Sequence, residues 1–186
     1  TVYEGGLRVP FVVRNPYEKN RGVEHEGMIS HVDITPSILD FAGGLDHKTN
    51  QPKKMVDATK YWKAKEYANK ENLGPRGGIK KYHGKSWLSI LGKPDAEHWN
   101  EIFASHTFHE IQMYYPMRVI RDKEYKLIWN IAHGLPYPFA SDLWAASSFQ
   151  AQFRKSLDAP YGQKSVGEYI NRPKFEFFKI GDDPVE

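Results

Sequence analysis

Four residues in one short run have the chemistry to act on a ligand together. His106, His109, Glu110 and Arg118 all fall between Ser105 and the end of the run Tyr114-Tyr115-Pro116-Met117-Arg118. Histidine can donate or accept a hydrogen bond and changes charge close to neutral pH. Glutamate accepts from hydroxyl groups. Arginine presents a planar, two-pronged donor set that matches the oxygens of a carboxylate or a sulfate. A rim built from these groups would sort hydroxylated, anionic ligands, because a wrong ligand leaves buried polar groups unpaired. A plainer arrangement is also open, in which Glu110 and Arg118 pair with each other and hold a hairpin. His106 and His109, at i and i+3, could share a metal ion, but no third ligand accompanies them.

Elements must bring these side chains into place. Glu101–His106, Met117–Arg121, Tyr125–Asn130 and Phe175–Ile180 read as strands, with a tight hairpin at Asp122-Lys123-Glu124. Residues 142–156 read as a helix with Leu143, Trp144, Phe149 and Phe153 as its apolar set. The expectation for this half is a small antiparallel sheet packed by a helix. In the first half, Val9 to Val13 reads as a buried strand fed by the turn Glu4-Gly5-Gly6, whose glycines could form a pocket wall and whose Glu4 reads, on residue type alone, as a solvated or turn-stabilising carboxylate. Gly27–Val32 reads as a second strand. Asp33 or Thr35 then caps a helix with Pro36 in its first turn. Its apolar face is Ile34, Ile38, Leu39, Phe41 and Ala42, and Gly43-Gly44 ends it. Residues 45–80 are lysine-rich, with a short helix expected from Val56 to Asn69. Gly84 to Leu91 reads as a helix with Trp87, Leu88 and Leu91 inward. Gly92-Lys93-Pro94-Asp95 is the candidate boundary, giving domains 1–95 and 96–186.

Composition narrows the function classes. The chain has 186 residues, a net charge of +3 and interspersed charges, so it carries no nucleic-acid footprint. No run approaches the roughly 20 apolar residues of a membrane span. Zero cysteine removes any disulfide framework and is compatible with secretion. Aromatic residues make up 14%; they suit core packing, and some would suit stacking on sugar rings.

Several segments resemble the sulfatase family of the alkaline-phosphatase-like superfamily. They are Tyr3–Arg14 followed by Ser30–Gly43, then Gly84–Leu91, then Phe177–Glu186. The run Phe108–Arg118 is similar to that of the heparan N-sulfatase branch, which acts on N-sulfoglucosamine. The resemblance runs end to end apart from an insert at about 45–80. It implies an α/β fold, α+β in its C-terminal part: the end of an alkaline-phosphatase-like sheet domain followed by a small antiparallel sheet subdomain. It also implies a hydrolase of sulfate esters or sulfamates on a sulfated glycan. Glu4 would lie near the active site, and His106, His109, Glu110 and Arg118 would contact substrate. Members of the family use calcium and a formylglycine made from a Cys-x-Pro-Ser-Arg-type motif, which this sequence lacks. The resemblance therefore implies the C-terminal part of an enzyme, separated from its N-terminal catalytic portion, inactive alone and binding neither group. A phosphodiesterase or phosphonate hydrolase of the same superfamily, and a non-catalytic glycan-binding module, stay open. The sequence has no Asn-x-Ser/Thr sequon, which favours a bacterial periplasmic or secreted origin over a lysosomal one.

Overall fold

A computed structural model describes residues 2–53, 82–109, 113–184 and 186. The chain divides into two compact units, one of residues 15–99 and one of residues 1–14 with 100–186. The short helix expected at Val56–Asn69 lies outside the described residues.

In the second of these units, four strands form one antiparallel sheet in the order β3 (Glu101–His106), β4 (Met117–Asp122), β5 (Tyr125–Asn130), β8 (Phe175–Lys179). These are the four strands expected from alternation, displaced by a residue at most. The β4–β5 hairpin closes because the Asp122 side chain accepts from the backbone N–H of Glu124 and of Tyr125, at 2.8 and 2.6 Å, the local bonding that places Asp in turns. Alternation sends Met117, Val119 and Ile128 to an inner face, where they join Val2, Tyr115 and Tyr137 in one buried cluster. Leu7, from a single helical turn α1 (Glu4–Leu7), and Tyr169, from α5 (Val166–Ile170), pack against that cluster.

The expected helix over 142–156 is two helices, α3 (Ser141–Ala145) and α4 (Ser147–Phe153). Ala146 takes an extended conformation, with ψ at 127°. The break lets Trp144 and Phe149 both reach Phe139, at ring separations of 5.9 and 4.7 Å. Phe149 is wholly buried while Trp144 remains exposed. A small hairpin of β6 (Pro160–Tyr161) and β7 (Lys164–Ser165) leads into α5. The α5 N-terminus is a reciprocal cap in which Ser165 Oγ accepts from Glu168 N and Glu168 accepts from Ser165 N.

The unit of residues 15–99 has less regular structure. It contains α2 (Ile34–Phe41) and a two-residue hairpin of β1 (Leu45–Asp46) with β2 (Gln51–Pro52). Single 3₁₀ turns occur at His31–Asp33 and Leu88–Ile90. Helix α2 is where the sequence places it, but its buried side is different. Pro36 and Ser37 are buried whereas Ile34, Ile38 and Phe41 are exposed. The reason is polar: Ser37 Oγ donates to Asp33 O and accepts from Trp87 N, and Ser86 donates to Asp40. That ties the polar side of the helix to residues 86–87.

Three further expectations are corrected. Residues 9–13 are not a strand, and Val12 is 91% exposed. Pro10 has no N–H to give, and no described strand pairs with the run. Gly27–Val32 is reduced to one bridge between Met28 and Trp99, because residues 31–33 turn immediately into the 3₁₀ segment. The helix expected over 84–91 is one 3₁₀ turn in which Ile90 is buried and Trp87, Leu88 and Leu91 are half-buried. Gly84 is pressed against backbone, and a Cβ there would sit 2.0 Å from Val32 O.

Candidate functional site

Four of the five expected ligand contacts lie within the described residues, and the structure sets Arg118 on the other face of the sheet from His106. Ser105 pairs with Arg118 and His106 with Met117 across β3 and β4. Successive residues of a strand point to opposite faces, so His106 lies on the inner face and Arg118 on the outer one. Arg118 donates to its neighbour Met117 O at 2.8 Å. The half-buried His106 has Nδ1 3.3 Å from Tyr115 O. Its pKa is lowered, chiefly because burial disfavours the imidazolium. His109 is exposed in the loop that joins β3 to β4, and Glu110 lies outside the described residues. That loop is anchored by Tyr115 N donating to Thr107 O at 2.8 Å. Phe108 and Tyr114 are both exposed on it, and the candidate list omitted them. Their signal was the aromatic residues flanking His109 and Glu110, which read equally well as core.

Glu4 is held elsewhere on the inner face. Its carboxylate accepts two bonds from Arg121, at 2.8 and 3.0 Å, with Lys126 Nζ at 3.5 Å. Lys126 is itself fully buried and pairs with Glu186 at 2.7 Å. Burial alone would raise the Glu4 pKa, but the Arg121 bonds and the charges of Arg121 and Lys126 outweigh it and hold it low. Glu4 is thus an ionised anchor for α1.

A second buried polar set lies beside the aromatic core. Arg172 stacks over Tyr137 at 3.6 Å and lies 5.0 Å from the rings of both Tyr3 and Tyr169. Tyr3 donates to Glu176 at 2.8 Å, and Asn130 Nδ2 donates to the other Glu176 oxygen at 2.8 Å. Burial pushes the Tyr169 hydroxyl up to about 12, so it stays protonated. A cleft of about 220 Å³, lined by Tyr3, Tyr161, Tyr169 and Lys164 among others, opens beside this set. Apart from the chain neighbours of Glu4, it involves none of the expected contacts. Lys164 within it is already engaged with Glu186 O at 2.7 Å and Glu176 at 3.7 Å.

In the unit of residues 15–99, Asp33 is fully buried and is the most heavily bonded side chain among the described residues. It accepts from Ser30 N at 2.9 Å, Lys85 N at 2.9 Å and Trp99 Nε1 at 2.7 Å, and His98 Nε2 lies 3.3 Å away. Burial would raise its pKa, but these donors, His98 foremost, bring it below the ordinary value. Although Asp33 and His98 resemble an acid–base pair, their side chains are 0% and 2% exposed. Both are shielded from solvent, and among the described residues the arrangement reads as a structural hub.

The chain is similar in sequence to two curated proteins. N-sulphoglucosamine sulphohydrolase of Homo sapiens is 28% identical over 191 residues, an alignment that takes in 100% of this chain and 32% of that protein. The chain is similar, from end to end, to part of a sulfatase. An ulvan-active sulfatase of Formosa agariphila is 29% identical over 132 residues, covering 70% of this chain and 20% of its own length. The chain therefore spans a third or less of these sulfatases. No family model matches it.

Sulfatases of this kind imply formylglycine and calcium. The residues present here do not fit either group. The chain has no cysteine to become formylglycine, and among the described residues no group of three or more His, Asp or Glu could hold a metal ion. No chemical step is therefore assigned to residues 1–186.

Proposed function

We propose that this chain is the C-terminal part of a sulfatase that removes sulfate from a sulfated glycan, with N-sulfoglucosamine as the substrate unit. The observation that carries the reading is the similarity to an N-sulphoglucosamine sulphohydrolase over the whole of this chain. The ulvan-active sulfatase supports the wider class, a sulfated glycan as substrate, and leaves the sugar to the first relative.

On this reading the chain contributes a substrate rim and the nucleophile lies outside it. The β3–β4 loop is the best-suited segment. His109 and Glu110 would meet sugar hydroxyls and the anionic group, and the exposed Phe108 and Tyr114 would offer apolar faces to the ring. His106, half-buried and neutral at the base of the loop, would hold the loop through Tyr115 O. Arg118, on the opposite face from His106, is left out of the rim, and Glu4 acts by fixing α1.

The test uses the complete gene product that contains residues 1–186. It should release sulfate from N-sulfated glucosamine, and His109→Ala should raise KM with little change in kcat. Residues 1–186 alone should show no turnover. Release of phosphate from a phosphodiester, with no action on any sulfated sugar, would overturn the reading in favour of a phosphodiesterase. Glycan binding by a complete product without a nucleophile would favour a binding module.

A further inference from the structure

We propose that His25 is a proton-operated clasp that closes the turn at residues 25–27 in neutral solution and opens it in acid. The inference stands on the unit of residues 15–99 alone and does not depend on the sulfatase reading.

Each ring nitrogen of His25 faces a backbone group of fixed polarity. Gly27 N lies 2.8 Å from Nδ1, and Ala96 O lies 2.6 Å from Nε2. A peptide N–H only donates, so Nδ1 must hold a lone pair. A peptide carbonyl only accepts, so Nε2 must carry the hydrogen. One form, the neutral Nε2–H imidazole, satisfies both. The ring is half-buried and lies against Gly27, where an added Cβ would come within 2.6 Å of Nδ1. The absence of a side chain at Gly27 is what lets its peptide sit this close to the imidazole.

Protonation changes one of the two contacts and keeps the other. The imidazolium retains its Nε2–H and still donates to Ala96 O, now as a charge-assisted bond. At Nδ1 the added hydrogen points at the Gly27 N–H, so two donors confront each other. The ring is tied to Ala96, and the Gly27 peptide is what turns away. Gly27 N has no backbone acceptor among the described residues, so the His25 side chain alone closes this turn, in the way an Asn or Asp side chain closes others.

The consequence reaches along the segment. Met28, the next residue, bridges to Trp99, whose Nε1 donates to Asp33. On the other side, Asn20 Nδ2 donates to Gly92 O at 3.1 Å. Residues 20–28 thus lie along 92–99 through these three ties, and the one at His25 is the one a proton can change. Among the described residues no carboxylate or cation pairs with the ring. The charged groups around it in sequence are Arg21, Glu24 and Glu26 on its own segment and Lys93, Asp95 and Glu97 on the opposite one, all exposed. The remaining titratable group there, His98, is buried against Asp33.

The test uses the complete gene product that contains residues 1–186. Amide hydrogen exchange read by mass spectrometry, with rates divided by the intrinsic rate at each pH, reports the protection of residues 26–29. Histidine is the side chain that ordinarily changes charge between pH 5 and 8. From pH 8 to pH 5 this protection should fall about fivefold, the effect of one hydrogen bond net of solvent. His25→Asn keeps an acceptor for the N–H two residues on and cannot titrate, so its protection should be equal at both pH values. His25→Gln is a second non-titrating variant should the first fail to fold. Gly27→Ala pushes the ring aside and should leave protection low at both pH values with His25 intact. Equal wild-type protection at pH 5 and pH 8 overturns the proposal. So does a fall in acid that persists in His25→Asn or His25→Gln, or a Gly27→Ala protein that keeps the wild-type response. A fall shared by every peptide of the unit overturns it too, since it reports general acid unfolding.

Discussion

At the scale of residues, Asp33 shows how one carboxylate can organise its surroundings. It gathers donors from Ser30, Lys85, Trp99 and His98, residues spread over 70 positions of chain. Removing it leaves the buried His98 and three half-buried donors without this partner. Asp33→Ala should therefore cost about 3–5 kcal/mol, the range for breaking a buried charge network, measured by urea denaturation. Acid should act in two stages. His106 has a folded pKa below its ordinary value of 6.5, so the unfolded chain binds the proton more readily. Its contribution is present above pH 6.5 and is lost as pH falls through the lower, folded value. Glu4 and Asp33 are also lowered, so their contributions persist down to the ordinary carboxylate range and disappear below it. His106→Gln should remove the first stage of the stability–pH curve and leave the second. A single acid transition unchanged by that substitution would contradict the assignment.

Elements divide by whether their cause is local. Strands β3, β4, β5 and β8 were legible because alternation, β-branched or aromatic residues and an Asp turn all agree on one answer. The buried side of α2 was not, because it is chosen by Ser37 and Asp40 bonding to residues 86–87, some 50 positions away. The run Val9–Val13 was misread for the complementary reason: a strand needs a neighbour, and composition does not reveal whether one is there. The same limit applied to the ligand contacts. Residue types nominated Glu4 and Arg118, but the Arg121 and Lys126 partners of Glu4, and the strand register that turns Arg118 away from His106, are not written in local sequence. Phe149, by contrast, was nominated for the core and is fully buried among Phe139, Phe153 and Tyr161. Phe149→Ala should cost about 3–5 kcal/mol. Ser165→Ala, which deletes the α5 cap, should cost only about 1 kcal/mol. Thermal melts that rank these two the other way would show that α5, not the aromatic cluster, limits stability.

For the whole molecule, two separate interaction sets imply two separable responses. In hydrogen exchange, Asp33→Ala should raise the rates around α2 and the 84–99 segment while sparing β4 and β5, and Phe149→Ala should do the reverse around α3 to α5. A uniform rise from either substitution would mean that the chain opens as one cooperative body. The ion pairs of Glu4 carry a different kind of consequence. Glu4 joins Arg121 across 117 positions of sequence, and Tyr3 joins Glu176 across 173. Residues 3 and 4 therefore emerge from a ribosome long before these partners do. Through that interval α1, a four-residue turn too short to persist in isolation, lacks the ion pair and hydrogen bond that hold it here. It becomes ordered only after the sheet is complete, so its docking marks the close of folding. An early unfolding event should then begin at α1, with the release of a segment that only a late-made partner can recapture.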